Sequence, residues 1–81
     1  EEIDIMAVQG QSALFCECKW RQNPIGADVA EMLVERGQLF RFESRYFIVF
    51  SKTGFQEDAV LYKKTRPHLQ LVSFEEMAIG F

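Results

Sequence analysis

Residues 3–8, Ile3-Asp4-Ile5-Met6-Ala7-Val8, and residues 13–20, Ala13-Leu14-Phe15-Cys16-Glu17-Cys18-Lys19-Trp20, flank the short segment Gln9-Gly10-Gln11-Ser12. Two β-prone apolar runs joined by a polar, glycine-containing link read as a β-hairpin. A two-residue loop of Gly10 and Gln11, with glycine first, suits a type II′ turn. Gln9 then faces Ser12, Met6 faces Phe15, and Asp4 faces Glu17, with Glu2 across from Lys19. Strand residues two apart point the same way, so these side chains share one face. The register depends on an even loop; an odd one would separate Asp4 from Glu17.

The hairpin is therefore apolar on both faces except at one end of one face, where two carboxylates oppose each other. Directly opposed like charges destabilise a sheet, and burial adds a desolvation cost. Protonation of one acid, a nearby cation such as Lys19, or a divalent metal held by carboxylates and water would relieve it. A competing reading is a solvated strand end, with Asp4, Glu17 and Lys19 reaching water.

Downstream, Asn23, Pro24 and Gly26 mark a loop, and residues 27–42 carry Val29, Leu33, Arg36 (by its stem) and Phe40 at helical spacing. Gly37 interrupts that helix: it ends or bends the helix there, or a close contact requires a small residue. Residues 45–51 form a near-continuous apolar run, the pattern of a central strand covered on both faces. Lys52-Thr53-Gly54 is a turn, residues 55–64 a second helix closed off by Pro67, residues 69–74 a last strand and residues 74–78 a short terminal helix. The order β-β-α-β-α-β implies an α/β domain: a mixed sheet flanked by helices with right-handed crossovers.

At 81 residues the chain has room for one small domain, and eight phenylalanines predict an aromatic core. No apolar run is long enough for a membrane helix, and the acidic opening lacks the pattern of a signal peptide. The expectation is a cytoplasmic protein with no membrane partner. The net charge of −3 argues against strong independent DNA binding. With no initiator methionine, the chain reads as a fragment of a longer polypeptide. Cys16 and Cys18 lie too close along one strand for a disulfide and lack zinc co-ligands, so both are expected to be buried, reduced thiols.

The segment Glu2-Ile3-Asp4-Ile5 followed by Phe15-Cys16-Glu17-Cys18-Lys19-Trp20 resembles the PD-(D/E)xK phosphodiesterase motif. Over essentially all of residues 1–81 the chain is similar to the C-terminal nuclease-like domain of archaeal-type prokaryotic P-loop ATPases, in which an E-x-D strand precedes an E-C-K-W strand. The resemblance implies a restriction-endonuclease-like core and a metal-dependent DNA nuclease. Asp4, Glu17 and Lys19 would be catalytic, and Asp4, Glu17 and the backbone carbonyl of Cys18 would ligate Mg²⁺ or Mn²⁺. Glu2, Gln38 and Lys52 would be accessory, although Gln38 read by itself is a solvated residue of the first helix. It also implies an ATPase domain in the same longer chain, although no P-loop motif occurs in these residues. Nucleases of this fold usually carry a helix before the first motif strand, and none precedes it here. The alternative is an inactive nuclease-fold module for protein interaction or dimerisation, with a homodimer as its partner state.

Other residues read more plainly. Arg21, Arg45, Lys63, Lys64 and Arg66 are scattered surface cations or contacts to a nucleic-acid backbone. Trp20 is expected to pack on the helix that follows it, or to stack on a base. His68 reads as a loop residue, and Glu57, Asp58, Glu75 and Glu76 as solvated or helix-N-terminal acids.

Overall fold

A glycine with φ of 61° at position 10, followed by a residue with negative φ, closes the hairpin as the type II′ geometry demands. The computed structural model describes residues 4–74. Strand β1 (Ile5–Gln9) pairs antiparallel with β2 (Ser12–Lys19), and Gln9 faces Ser12, Met6 faces Phe15 and Ile5 faces Cys16. The next step along this register brings Asp4, just outside β1, level with Glu17.

Helix α1 (Ala27–Gly37) returns the chain to β3 (Ser44–Ser51), parallel to β2, and α2 (Glu57–Lys64) returns it to β4 (Leu69–Ser73), parallel to β3. The sheet is mixed, in the order β1-β2-β3-β4. Strands that are neighbours in both sequence and space, joined by crossovers of one hand, place both helices on the same face. The core lies there: Phe15, Phe47, Val49 and Leu69 from the sheet meet Val29 and Leu33 of α1. Phe15 is fully buried and stacks on Phe47 with ring centroids 5.4 Å apart, as the phenylalanine content predicted.

Helix α1 stops at Gly37, although the apolar spacing suggested that it continues to residue 42. A Cβ at Gly37 would lie 2.5 Å from Cε1 and 2.9 Å from Cζ of Phe47, and 3.3 Å from Cδ2 of Phe15. The glycine thus lets the last turn close onto the aromatic pair. Helix α2 starts later than expected because Phe55 bridges to Ile25: Ile25 N–H donates to the Gly54 carbonyl and Gln56 N–H to that of Ile25. Asp58, in the first turn of α2, accepts the Ala27 N–H of α1 at 3.2 Å, so this acid ties two helix starts together. The short terminal helix expected over residues 74–78 lies, but for Phe74, outside the described residues.

The expectation of a β3 covered on both faces is corrected. Phe47, Val49 and Ser51 are buried, whereas Tyr46 is exposed and Ile48 and Phe50 are half-buried. Both helices pack on the face of Phe47 and Val49, so among the described residues no helix covers the other side.

Candidate functional site

The site is built at the carboxyl ends of β2 and β3, where open α/β sheets place their ligands. Glu17 lies on the core side of β2, two residues beyond Phe15, and is only 5% exposed. Its Oε2 is 3.0 Å from Nζ of Lys19, the next residue on that face. A carboxylate in such a place needs a cation or a proton, and Lys19 provides the cation. Lys19 is held in turn: its carbonyl accepts the Lys52 N–H at 3.1 Å, which fastens the end of β2 to the start of the turn after β3.

Asp4 reaches the same end from β1. Its Oδ2 accepts the backbone N–H of Cys18 at 2.8 Å. The carboxylate thus terminates the hairpin by satisfying a donor left unpaired beyond the last strand pair. Asp4, Glu17 and Lys19 therefore belong to one end of the hairpin, with distinct local partners. Glu2 lies outside the described residues. Lys52 is exposed beside the end of β2, at the rim.

Gln38 is not at this site. Helix α1 runs back along the sheet, so its C-terminal residue sits at the other end. There the Gln38 N–H caps the helix on the Val34 and Glu35 carbonyls, and its side chain borders a cleft with Arg45, Arg66 and His68. Residues not singled out for the site adjoin Glu17 instead: Asp28 and Arg36 of α1, with Arg21, line a cavity of about 80 Å³ beside it. Helical spacing marked Arg36 only as a core-facing stem. The right-handed crossover, which lays α1 over β2, was the available signal for its closeness to Glu17.

No family model, curated protein or solved structure matches this chain.

Two other cations have protein partners. Arg45 donates through Nε and Nη2 to the Phe40 carbonyl at 3.2 and 2.8 Å, and the Arg66 guanidinium lies 3.9 Å over the Tyr62 ring. His68 stacks on Tyr46 and its Nδ1 lies 3.1 Å from the Arg45 carbonyl oxygen. Trp20 does not pack on α1 as expected. It meets the edge of Phe74 at 5.8 Å and is 59% exposed.

Cys16 is buried, but Cys18 is exposed, contrary to the expectation of two buried thiols. Both lie on the face that no described helix covers. Burial pushes the Cys16 thiol above its ordinary value, and the neighbouring Cys18 adds to the shift. Cys18, though exposed as a residue, is raised by the partial desolvation of its thiol, with the Asp4 and Glu17 charges adding to the shift. Thiolate is the reactive form, so both cysteines should be alkylated by iodoacetamide at pH 8 more slowly than in the urea-unfolded chain. Alkylation of Cys18 at the unfolded rate would contradict this. Because the folded thiols hold their protons more tightly than the unfolded ones, their contribution to stability is complete below the unfolded thiol range. It is lost as pH rises through the folded value. The double variant Cys16→Ala/Cys18→Ser should lack this alkaline loss in urea titrations.

Proposed function

We propose that this chain is a metal-dependent DNA phosphodiesterase domain with a restriction-endonuclease-like core, appended to an ATPase in a longer cytoplasmic polypeptide. The observation that carries the reading is the buried Glu17–Lys19 pair at the carboxyl end of β2, with the Asp4 carboxylate fixed on the backbone of the residue between them. A solvated strand end has no reason to bury an acid. A site that must present negative ligands and one cation together does.

The donor set suits a small hard cation. Mg²⁺ is commonly bound through one or two carboxylates while it keeps several waters. Asp4, Glu17 and the carbonyl of Cys18 would hold Mg²⁺ or Mn²⁺. Among the described residues no three His, Cys, Asp or Glu side chains form a metal-holding group, so water would have to fill most of the ion's shell. When bound, such an ion lowers the pKa of its water and neutralises phosphoryl oxygens.

The chain's own groups have separable tasks. Asp4, just before β1, and Glu17, on β2, would supply carboxylates from the two arms of the hairpin. The Lys19 ammonium, restrained by Glu17, places positive charge where a phosphoryl group gains negative charge. Lys52 and Arg21, at the same end, would touch flanking phosphates. With a net charge of −3, the domain should hold DNA weakly and lose it with added salt, leaving the larger share of affinity to the ATPase portion.

Calorimetric titration with Mn²⁺ tests the metal site. The wild-type chain should show saturable heat, and Asp4→Ala should lower the affinity at least about tenfold, since removing a charged ligand group costs more than about 1.4 kcal/mol. Absence of heat from the folded wild type would refute the metal site.

A further inference from the structure

At the end of the sheet opposite Glu17, residues from the close of α1, the start of β3 and the link from α2 to β4 border a cleft of about 440 Å³. Arg45, Arg66 and His68 line it against a single acid, Glu43. In a chain of net charge −3, a cleft where cations outnumber acids is a local reversal of sign. Val34, Phe47 and Leu69 add apolar wall. The volume, and a few polar groups set in an apolar lining, suit a small-molecule site.

The fold leaves both arginines with donors to give. A guanidinium carries five N–H groups. Arg45 uses Nε and Nη2 on one acceptor, the Phe40 carbonyl, and Arg66 uses Nη1 on the Thr65 hydroxyl. Among the described residues neither lies within ion-pair distance of a carboxylate. Cations are favoured at helix C-termini, but the helix ends do not take up these two. The last carbonyls of α1 accept from the N–H groups of Gln38, Leu39 and Phe40. In α2 the Tyr62 carbonyl accepts from the Thr65 hydroxyl and that of Lys63 from the Arg66 N–H. Both guanidiniums are nonetheless held in place, Arg45 by its two bonds and Arg66 over the Tyr62 ring.

We propose that this cleft binds a small phosphorylated molecule, with its phosphate between Arg45 and Arg66 and its uncharged part against Val34, Pro67 and Leu69. The planar fork of arginine matches phosphate oxygens two at a time. An anion there supplies the counter-charge that both cations lack. Glu43 opposes further negative charge, so a single phosphate suits the cleft better than a polyphosphate. Roughly 20 Å of β3 separates it from the carboxylate end, so the inference does not rest on the nuclease reading.

An NMR titration of the full chain, without divalent metal, with adenosine monophosphate and with adenosine as probes tests it. The nucleotide should shift the amide signals of Gln38, Thr65 and His68 saturably, with a Kd below about 1 mM. Adenosine should bind at least about tenfold more weakly, as should the nucleotide to Arg45→Gln and to Arg66→Gln, the loss expected of one charge-assisted bond. Arg66 is exposed and outside helix and strand, so its variant should fold even if Arg45→Gln does not. Glu43→Gln should tighten binding. Lys64→Gln removes an exposed charge of α2 that does not line the cleft, and should change the Kd by less than about twofold. No saturable shift up to about 10 mM nucleotide, adenosine binding as tightly, an Arg66→Gln that binds like wild type, or an equal loss in Lys64→Gln would overturn the proposal.

Discussion

Lys19→Met should lower the unfolding free energy by about 3–5 kcal/mol, because it strips the cation from a buried carboxylate. The Glu17 side chain is 7% exposed and its ion pair with Lys19 is 3.0 Å long, so the charge left behind has little water to turn to. A domain of this size has a total stability of only about 4–12 kcal/mol at 0.05–0.15 kcal/mol per residue, so the variant should sit near the unfolding threshold. The double variant Glu17→Leu/Lys19→Met should recover most of the loss, since replacing both members of a buried pair with apolar residues is often neutral or better. Urea midpoints of the wild type, the single variant and the double variant measure both effects. A single variant within about 1 kcal/mol of wild type would mean that the carboxylate is solvated after all.

Gly37→Ala should destabilise the domain by about 1–2 kcal/mol, the reverse of what helix propensity predicts. Alanine gains about 1 kcal/mol over glycine within a helix, but overpacking a tight core costs about 1–3 kcal/mol. The added Cβ would sit 2.5 Å from the Phe47 ring, which is itself stacked on the fully buried Phe15 and cannot withdraw freely. The larger Gly37→Val should cost more, as its branches extend the clash. Thermal melts of the two variants decide this, and a stabilised Gly37→Ala would show that the aromatic pair yields at little cost.

Much of the fold could be read from local chemistry. The Gly10-Gln11 loop alone determined the hairpin register, because a type II′ turn leaves one alignment of the flanking strands, and the structure has that alignment. Element order followed from periodicity. The errors arose where the deciding contact is long-range. Nothing near Gly37 announces Phe47, so the end of α1 was invisible while the helical spacing ran on to Phe40. The apolar run of β3 does not say which face is covered; the shared hand of two crossovers decides that.

The candidate site was legible to the same degree. Asp4, Glu17 and Lys19 were placed at one end of the hairpin by register, and the structure keeps them there. The backbone partner of Asp4 was not readable, because the Cys18 N–H becomes available only where the strand pairing stops. Gln38 is exposed, as a solvated helix residue should be, and helix direction rather than sequence spacing sets it at the other end of the sheet. Met6 and Val8 share the helix-side face yet remain exposed, since α1 lies over β2 and β3 and does not extend to the edge strand.

Cleavage of duplex DNA in Mn²⁺ or Mg²⁺ by the wild type and by Asp4→Asn, an isosteric change at an exposed residue, bears most directly on the proposed chemistry. The wild type should nick DNA only when the ion is present, and the folded variant should lose that activity by about 100-fold or more, as expected when a group that orients the reaction is removed. A folded wild type that leaves DNA intact at saturating metal, or an Asp4→Asn that cuts as fast as wild type, would contradict it.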